Sequence, residues 1–118
     1  ISYAAHMAAL LGANVIKVKL PSDFLEEDPT KVAFEKNKIS ISSLKDRVAH
    51  IKKVVFEGKR LVVFSGGDAK DDEALMNEVK AIHTGGGNGS IIGRNCFQRT
   101  RENSLNLLDQ MIKIYKSK

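Results

Sequence analysis

The chain reads as an α/β protein built on a parallel sheet with crossover helices, and two observations carry that reading. Three short β-branched runs, NVIKVKL (14–20), RLVVFS (60–65) and SIIG (90–93), recur along the chain. Between and around them lie stretches whose apolar residues repeat every three or four positions, the period of a helix face. The order is α-β-α-β-α-β-α, and such alternation favours a parallel sheet joined by right-handed helical connections.

Each element has its own justification. Residues 2–11 (SYAAHMAALL) are rich in Ala and Leu, with Gly12 as a C-terminal stop. Strand 14–20 is closed by Pro21. Residues 22–38 form a polar stretch, expected as a mobile surface loop, with a lid or a subunit contact as the alternatives. Over 41–57, Leu44, Val48, Ile51 and Val55 make one helical stripe ended by Gly58. Strand 60–65 runs into Gly66-Gly67, and helix 71–83 follows with Leu75, Val79 and Ile82 on one face and Asp71, Asp72 and Glu73 at its N-terminus. Residues 84–89 (TGGGNG) are expected as a flexible connection to strand 90–93. The last helix, 101–116, has Thr100 as N-cap and a stripe of Leu105, Leu108, Ile112 and Tyr115.

The totals narrow the class. At 118 residues, 42% hydrophobic and 28% charged, the chain is long enough for one small core and is neither disordered nor membrane-spanning in composition. The start lacks the basic region of a signal peptide and has no initiator methionine, so the true N-terminus is expected upstream. Cys96 is the single cysteine, which suits a reducing, cytoplasmic setting. A net charge of +5 suits either a solvated basic surface or an anionic ligand. Aromatic content of only 6%, with no Trp, argues against base stacking, so no nucleic-acid partner is expected.

Strand parity points to chemistry. Val15, Lys17 and Lys19 share one face of the first strand, and Ile16, Val18 and Leu20 the other. The apolar set belongs under the helices, which aims the lysines into a barrel interior. An ammonium there is costly and tends to be neutral or paired. A neutral lysine attacks carbonyls to give a Schiff base. Alternatively, one lysine pairs with a distant carboxylate and the other reaches solvent. Ser65, Gly66 and Gly67, and later Gly93 and Arg94, sit where strands end. Small residues there admit an anion or simply make a tight turn, and an arginine there offers a fork of donors or sits at the surface. Strand C-terminal ends are where barrels and open sheets bind ligands. His6, His50 and His83 lack metal-ligand spacing and read as ordinary helix residues; Cys96 reads as a small buried residue.

Taken together, "GANVIKVKLP", "VVFSGGDAK" and "GSIIGRNCFQR" resemble the last three β/α units of the archaeal-type class I fructose-bisphosphate aldolases, relatives of deoxyribose-phosphate aldolase. The resemblance covers nearly the whole chain. It implies the C-terminal three units (strands six to eight) of a (β/α)8 barrel, with residues 1–118 as one partial domain and the N-terminal part absent. It further implies Lys17 as the Schiff-base lysine, Lys19 as its neighbour or fallback, and Ser65, Gly66, Gly67, Gly93 and Arg94 as binders of substrate phosphate. The implied reaction cleaves fructose 1,6-bisphosphate to dihydroxyacetone phosphate and glyceraldehyde 3-phosphate, with no metal and no cofactor. The complete protein is expected to be a homo-oligomer with no membrane partner. A related Schiff-base aldolase acting on another phosphorylated sugar, or a non-catalytic phosphate-binding module, are the alternatives. The tyrosine that related enzymes use has no counterpart, since Tyr3 and Tyr115 fall on helices. A three-stranded piece leaves sheet edges and apolar faces open, so it is not expected to be a stable, active monomer alone.

Overall fold

The structure, a computed structural model, describes residues 1–117. The elements run α1 (Ser2–Leu10), β1 (Val15–Lys19), α2 (Asp28–Lys36), α3 (Leu44–Val54), β2 (Leu61–Ser65), α4 (Asp72–Thr84), β3 (Gly89–Ile91), α5 (Arg94–Phe97) and α6 (Arg101–Lys116). The three strands form one parallel sheet in the order β1-β2-β3. All three expected strands are present, although β3 is shorter and begins one residue earlier than the SIIG run.

The sheet has two unlike faces. Along β1 only Ile16 is fully buried, while Val15, Lys17 and Lys19 are exposed; along β2, Val62 and Phe64 are buried. These inward residues join Ala5 and Ala9 of α1, Val48, Ile51 and Val55 on and after α3, and Ile82 of α4 in the main core. Burying each large member contributes roughly 1.5–3 kcal/mol. A second core, Leu75 and Val79 of α4 with Leu107 and Met111 of α6, holds the last two long helices together. The opposite sheet face carries exposed apolar side chains at Val15, Leu61 and Ile91. The Cα radius of gyration, 15.1 Å, exceeds the value of about 13 Å for a compact domain near this length, as suits a sheet covered on one side.

Local chemistry sets the helix starts. Ser43 and Asp46 form a reciprocal capping box at α3, Asp71 accepts from the Ala74 N–H at 2.8 Å, and Thr100 accepts from the Asn103 N–H at 3.3 Å. Helix α3 ends at Val54, before Gly58, because Phe56 and Glu57 turn into the left-handed region at φ 65° and 52°, while Val55 still packs in the core.

Four expectations need correction. The polar stretch 22–38 contains a helix, α2, started by Asp28 and Pro29 and reinforced by a 2.8 Å Lys31–Asp28 ion pair. It buries no residue, so no apolar stripe announces it. The connection 84–89 is tied down: the Gly87 N–H donates to the Ile82 carbonyl at 2.8 Å and the Asn88 N–H to that of Val62 at 2.8 Å. A Cβ on Gly87 would come within 2.5 Å of the Ile82 side chain and 2.9 Å of the Phe64 ring, so glycine there serves close packing. On α6 the buried stripe is Leu107 and Met111, not Leu105, Leu108 and Ile112, which stay exposed. Finally, Cys96 is only partly buried.

Candidate active site on the open sheet face

Register assembles the site. Lys17 pairs with Val63, which pairs with Gly89; Lys19 pairs with Ser65, which pairs with Ile91. Neighbouring parallel strands lie roughly 4.8 Å apart, so Lys19 and Ser65 are direct neighbours at the C-terminal edge, with Lys17 one step below. Both lysines point from the same face, as their alternation with Ile16 and Val18 requires. Neither makes an ion pair among the described residues, and both are exposed. The expected barrel interior is therefore an open surface in this chain, and the carboxylate partner considered for one lysine does not occur among the described residues.

The two turns beyond the strand ends meet. The Gly66 N–H donates to the Ile91 carbonyl at 3.0 Å, extending the β2–β3 pairing past the strands. A Cβ on Gly66 would lie 2.8 Å from Ile92 Cγ2, and Gly67 adopts φ +67°, so both positions favour glycine for physical reasons. Gly93 precedes the four-residue helix α5, whose first residue is Arg94. The Arg94 guanidinium reaches back across the gap, donating from Nη2 to Asp68 Oδ1 at 2.8 Å and to the Gly67 carbonyl at 3.2 Å. The main-chain N–H groups of Gly67, Arg94 and Asn95 donate to no carbonyl in the turns among the described residues.

Asn95 is the residue that sequence reasoning missed. Its side chain is the buried polar group of the chain's described residues, 2% exposed. Its Oδ1 accepts from the Lys70 N–H at 2.7 Å, and its Nδ2 donates to the carbonyls of Asp68 at 2.9 Å and Gly66 at 3.4 Å. One amide thus pins the turn after β2 to the start of α5. Arg99 adds to the clamp, donating to the Asn95 carbonyl at 2.6 Å and the Lys70 carbonyl at 3.4 Å and pairing with Asp72. An Asn after Gly-Arg reads as a surface turn residue; only its contacts across 25 or more positions reveal its role.

Other groups lie elsewhere. Tyr115 bonds Ser90 Oγ at 2.6 Å, and Ser90 pairs with buried Phe64 on the helix-covered face. Burial pushes the Tyr115 phenol up from its ordinary range. His6 Nδ1 contacts the Val54 carbonyl at 2.6 Å, His83 Nε2 contacts the Ser117 carbonyl at 3.0 Å, and the His50 ring packs on Phe34 with centroids 4.9 Å apart. Among the described residues no three His, Cys, Asp or Glu side chains cluster as a metal site would require, and no helix is long and apolar enough to cross a membrane.

The comparisons with known proteins bear on this arrangement. The chain is 31% identical over 99 residues to the class 1 fructose-bisphosphate aldolase in each of two strains of Halobacterium salinarum, spanning 84% of this chain and 29% of theirs. An archaeal fructose-1,6-bisphosphate aldolase, solved with its catalytic Lys covalently bound to the carbinolamine intermediate of the substrate, superposes with a TM-score of 0.66 at 24% identity. That match covers 99% of this chain and 37% of the other. A second archaeal structure of that aldolase gives a TM-score of 0.65 at 26% identity, over 98% of this chain and 36% of the other. The chain therefore has the α/β fold of those barrels over a little more than a third of their length. Residues 1–99 also match the family model described as DeoC/LacD family aldolase, which takes in all three strands and both turns. The chain belongs to the DeoC/LacD family of aldolases.

Proposed function

We propose that this chain supplies the Schiff-base strand and the phosphate-binding turns of a class I fructose-bisphosphate aldolase, as strands six to eight of its barrel. The observation that carries the reading is the register: Lys17 and Lys19 share a face with Ser65, and the Gly66-Gly67 and Gly93-Arg94 turns join at the C-terminal edge of that same face.

The chemistry follows from an amine beside an anion site. Phosphate held by the turns through N–H donors and the Arg94 guanidinium places the sugar ketone over Lys17. Lys17 Nζ adds to C2, and the carbinolamine loses water to become a protonated imine. That cation takes up the electron pair of the C3–C4 bond as it breaks, and glyceraldehyde 3-phosphate departs. The enamine is protonated at C3, and water releases dihydroxyacetone phosphate and restores the amine. Lys19, two residues along, adds a positive charge that draws the bisphosphate substrate. Proton transfer to and from the sugar hydroxyls falls to groups on strands outside this chain.

Supporting the substrate assignment are the two halobacterial relatives and the archaeal structures. The family is broader than one substrate, so a related phosphorylated sugar is the second reading, separated by assaying a panel of sugar phosphates. The complete protein is read as a cytoplasmic homo-oligomer, to be checked by sedimentation. The direct test is borohydride reduction of the intact protein with dihydroxyacetone phosphate, followed by peptide mass spectrometry. We expect a reduced adduct on Lys17. An adduct on Lys19 would move the nucleophile, and absence of any adduct would leave a phosphate-binding module.

A further inference from the structure

We propose that Asp68 sets the affinity of the phosphate turn by acting as an internal counter-anion that a phosphoryl group must displace from Arg94. The proposal rests on the reading of these turns as a phosphate site. Arg94 commits a single nitrogen, Nη2, to Asp68 Oδ1 at 2.8 Å and to the Gly67 carbonyl at 3.2 Å. Its other guanidinium nitrogens make no hydrogen bond among the described residues. The Asp68 side chain is 88% exposed and that of Arg94 54% exposed, so the pair is wet, screened and weak.

Neighbouring Arg99 shows the contrast. It is only 21% exposed and spends Nε, Nη1 and Nη2 on the Asn95 carbonyl, Asp72 and the Lys70 carbonyl. Arg99 is fixed in the clamp, whereas Arg94 is held by a partner that can leave. The backbone lets it leave cheaply. The Asp68 carbonyl is anchored by Asn95 Nδ2 at 2.9 Å, so the carboxylate can rotate into solvent while the turn stays put.

Removing the carboxylate has two opposing effects. It frees the guanidinium and lifts repulsion of an incoming anion; it also removes one contact that orients Arg94. Competition wins, because the Gly67 carbonyl still orients Nη2 after the carboxylate is gone. Asp68 thus keeps the empty site charge-balanced and lowers its affinity for phosphate.

The test is calorimetric titration of inorganic phosphate into the intact protein for the wild type, Asp68→Asn, Arg94→Gln and the double variant. Asp68→Asn should tighten binding roughly fivefold, the scale of an exposed ion pair, and clearly less in the Arg94→Gln background, where only relief of the repulsion remains. Unchanged or weaker binding in Asp68→Asn overturns the proposal, as does tightening of equal size without Arg94. A wild-type site that binds phosphate with Arg94 but ignores Asp68 sinks the proposal and leaves the phosphate reading standing. No phosphate binding in any variant removes both.

Discussion

The two faces of the one sheet obey the same geometry and do opposite things. On the helix-covered face, Ile16, Val62 and Phe64 are 5%, 0% and 0% exposed. One residue along on the same strands, Val15 is 58% and Leu61 50% exposed, beside Lys17, Lys19 and Ser65. The covered face is held chiefly by packing, with the Ser90–Tyr115 hydrogen bond beside it. The open face is held in place by the covered one and carries the residues to which we assign the chemistry. The two-residue period of the strand backbone is enough to separate the packed set from the exposed lysines.

The largest effect that could break this comparison is on the lysine itself. Lys17→Met should lower sugar-phosphate cleavage in the intact protein by at least ~10³-fold, the scale on which loss of a covalent nucleophile acts. In this chain, where the residue is exposed and unbonded, the same substitution should hardly move the thermal midpoint. Lys19→Met should cost much less. A Lys17→Met protein that keeps its rate would transfer the nucleophile to Lys19 or abolish it.

Next in size is a pair of substitutions on β2. Phe64→Ala should cost about 3–5 kcal/mol, since the ring is fully buried in the main core. Leu61→Ala should cost less than about 1 kcal/mol in this chain, where half of it is exposed. In the intact protein, Leu61→Ala should rise to about 2–5 kcal/mol if other strands close over this face. Denaturant midpoints in both contexts measure that difference directly. Equal costs for Leu61→Ala in the two would mean that nothing covers the face.

The faces were legible in the sequence because alternation has a single solution: once Ile16 and Val18 are assigned to the core, Lys17 and Lys19 must oppose them. Helix α6 had two. Leu105, Leu108 and Ile112 satisfy a helical stripe as well as Leu107 and Met111 do, and only the position of α4 selects between them. The stripe left open is apolar, which fits a helix whose second neighbour lies on another β/α unit. Helix α2 carried its start signals, Asp28 and Pro29, but no buried face to confirm them. The turns were legible as small residues at strand ends. The Asn95 clamp and the Arg94–Asp68 pair were not, because each joins positions 25 or more apart and no local pattern records that. The family model and the structural likeness bear out the fold and the family; the roles of the lysines and turns rest on the experiments above.

The smallest effect sharpens a second contrast, between the sheet and the excursion 22–42 that leaves it. The sheet is anchored by fully buried side chains. The excursion is anchored by Arg47, which donates to the Pro21 carbonyl at 3.0 Å and the Ile41 carbonyl at 2.8 Å, and by the Phe34 ring against His50. Burial, with Lys53 nearby, holds the His50 imidazole below its ordinary range. Phe34, Arg47 and His50 line one surface pocket, and Asp46, His50 and Lys53 line a second. A base with a depressed folded pKa contributes its full stability above the unfolded value of 6.5. That contribution is lost as pH falls through the lower folded value, because the unfolded chain binds the proton more readily. Acidification from pH 7 to pH 5 should therefore lower the thermal midpoint of the wild type by a few degrees more than that of His50→Phe. Proteolysis within 22–42 should accelerate over the same range, since the proton is taken up where α2 rests on α3. If His50→Phe and the wild type lose stability in parallel, the ring contact does not control the docking of the excursion, and the polar contacts of Arg47 and Asp46 hold it.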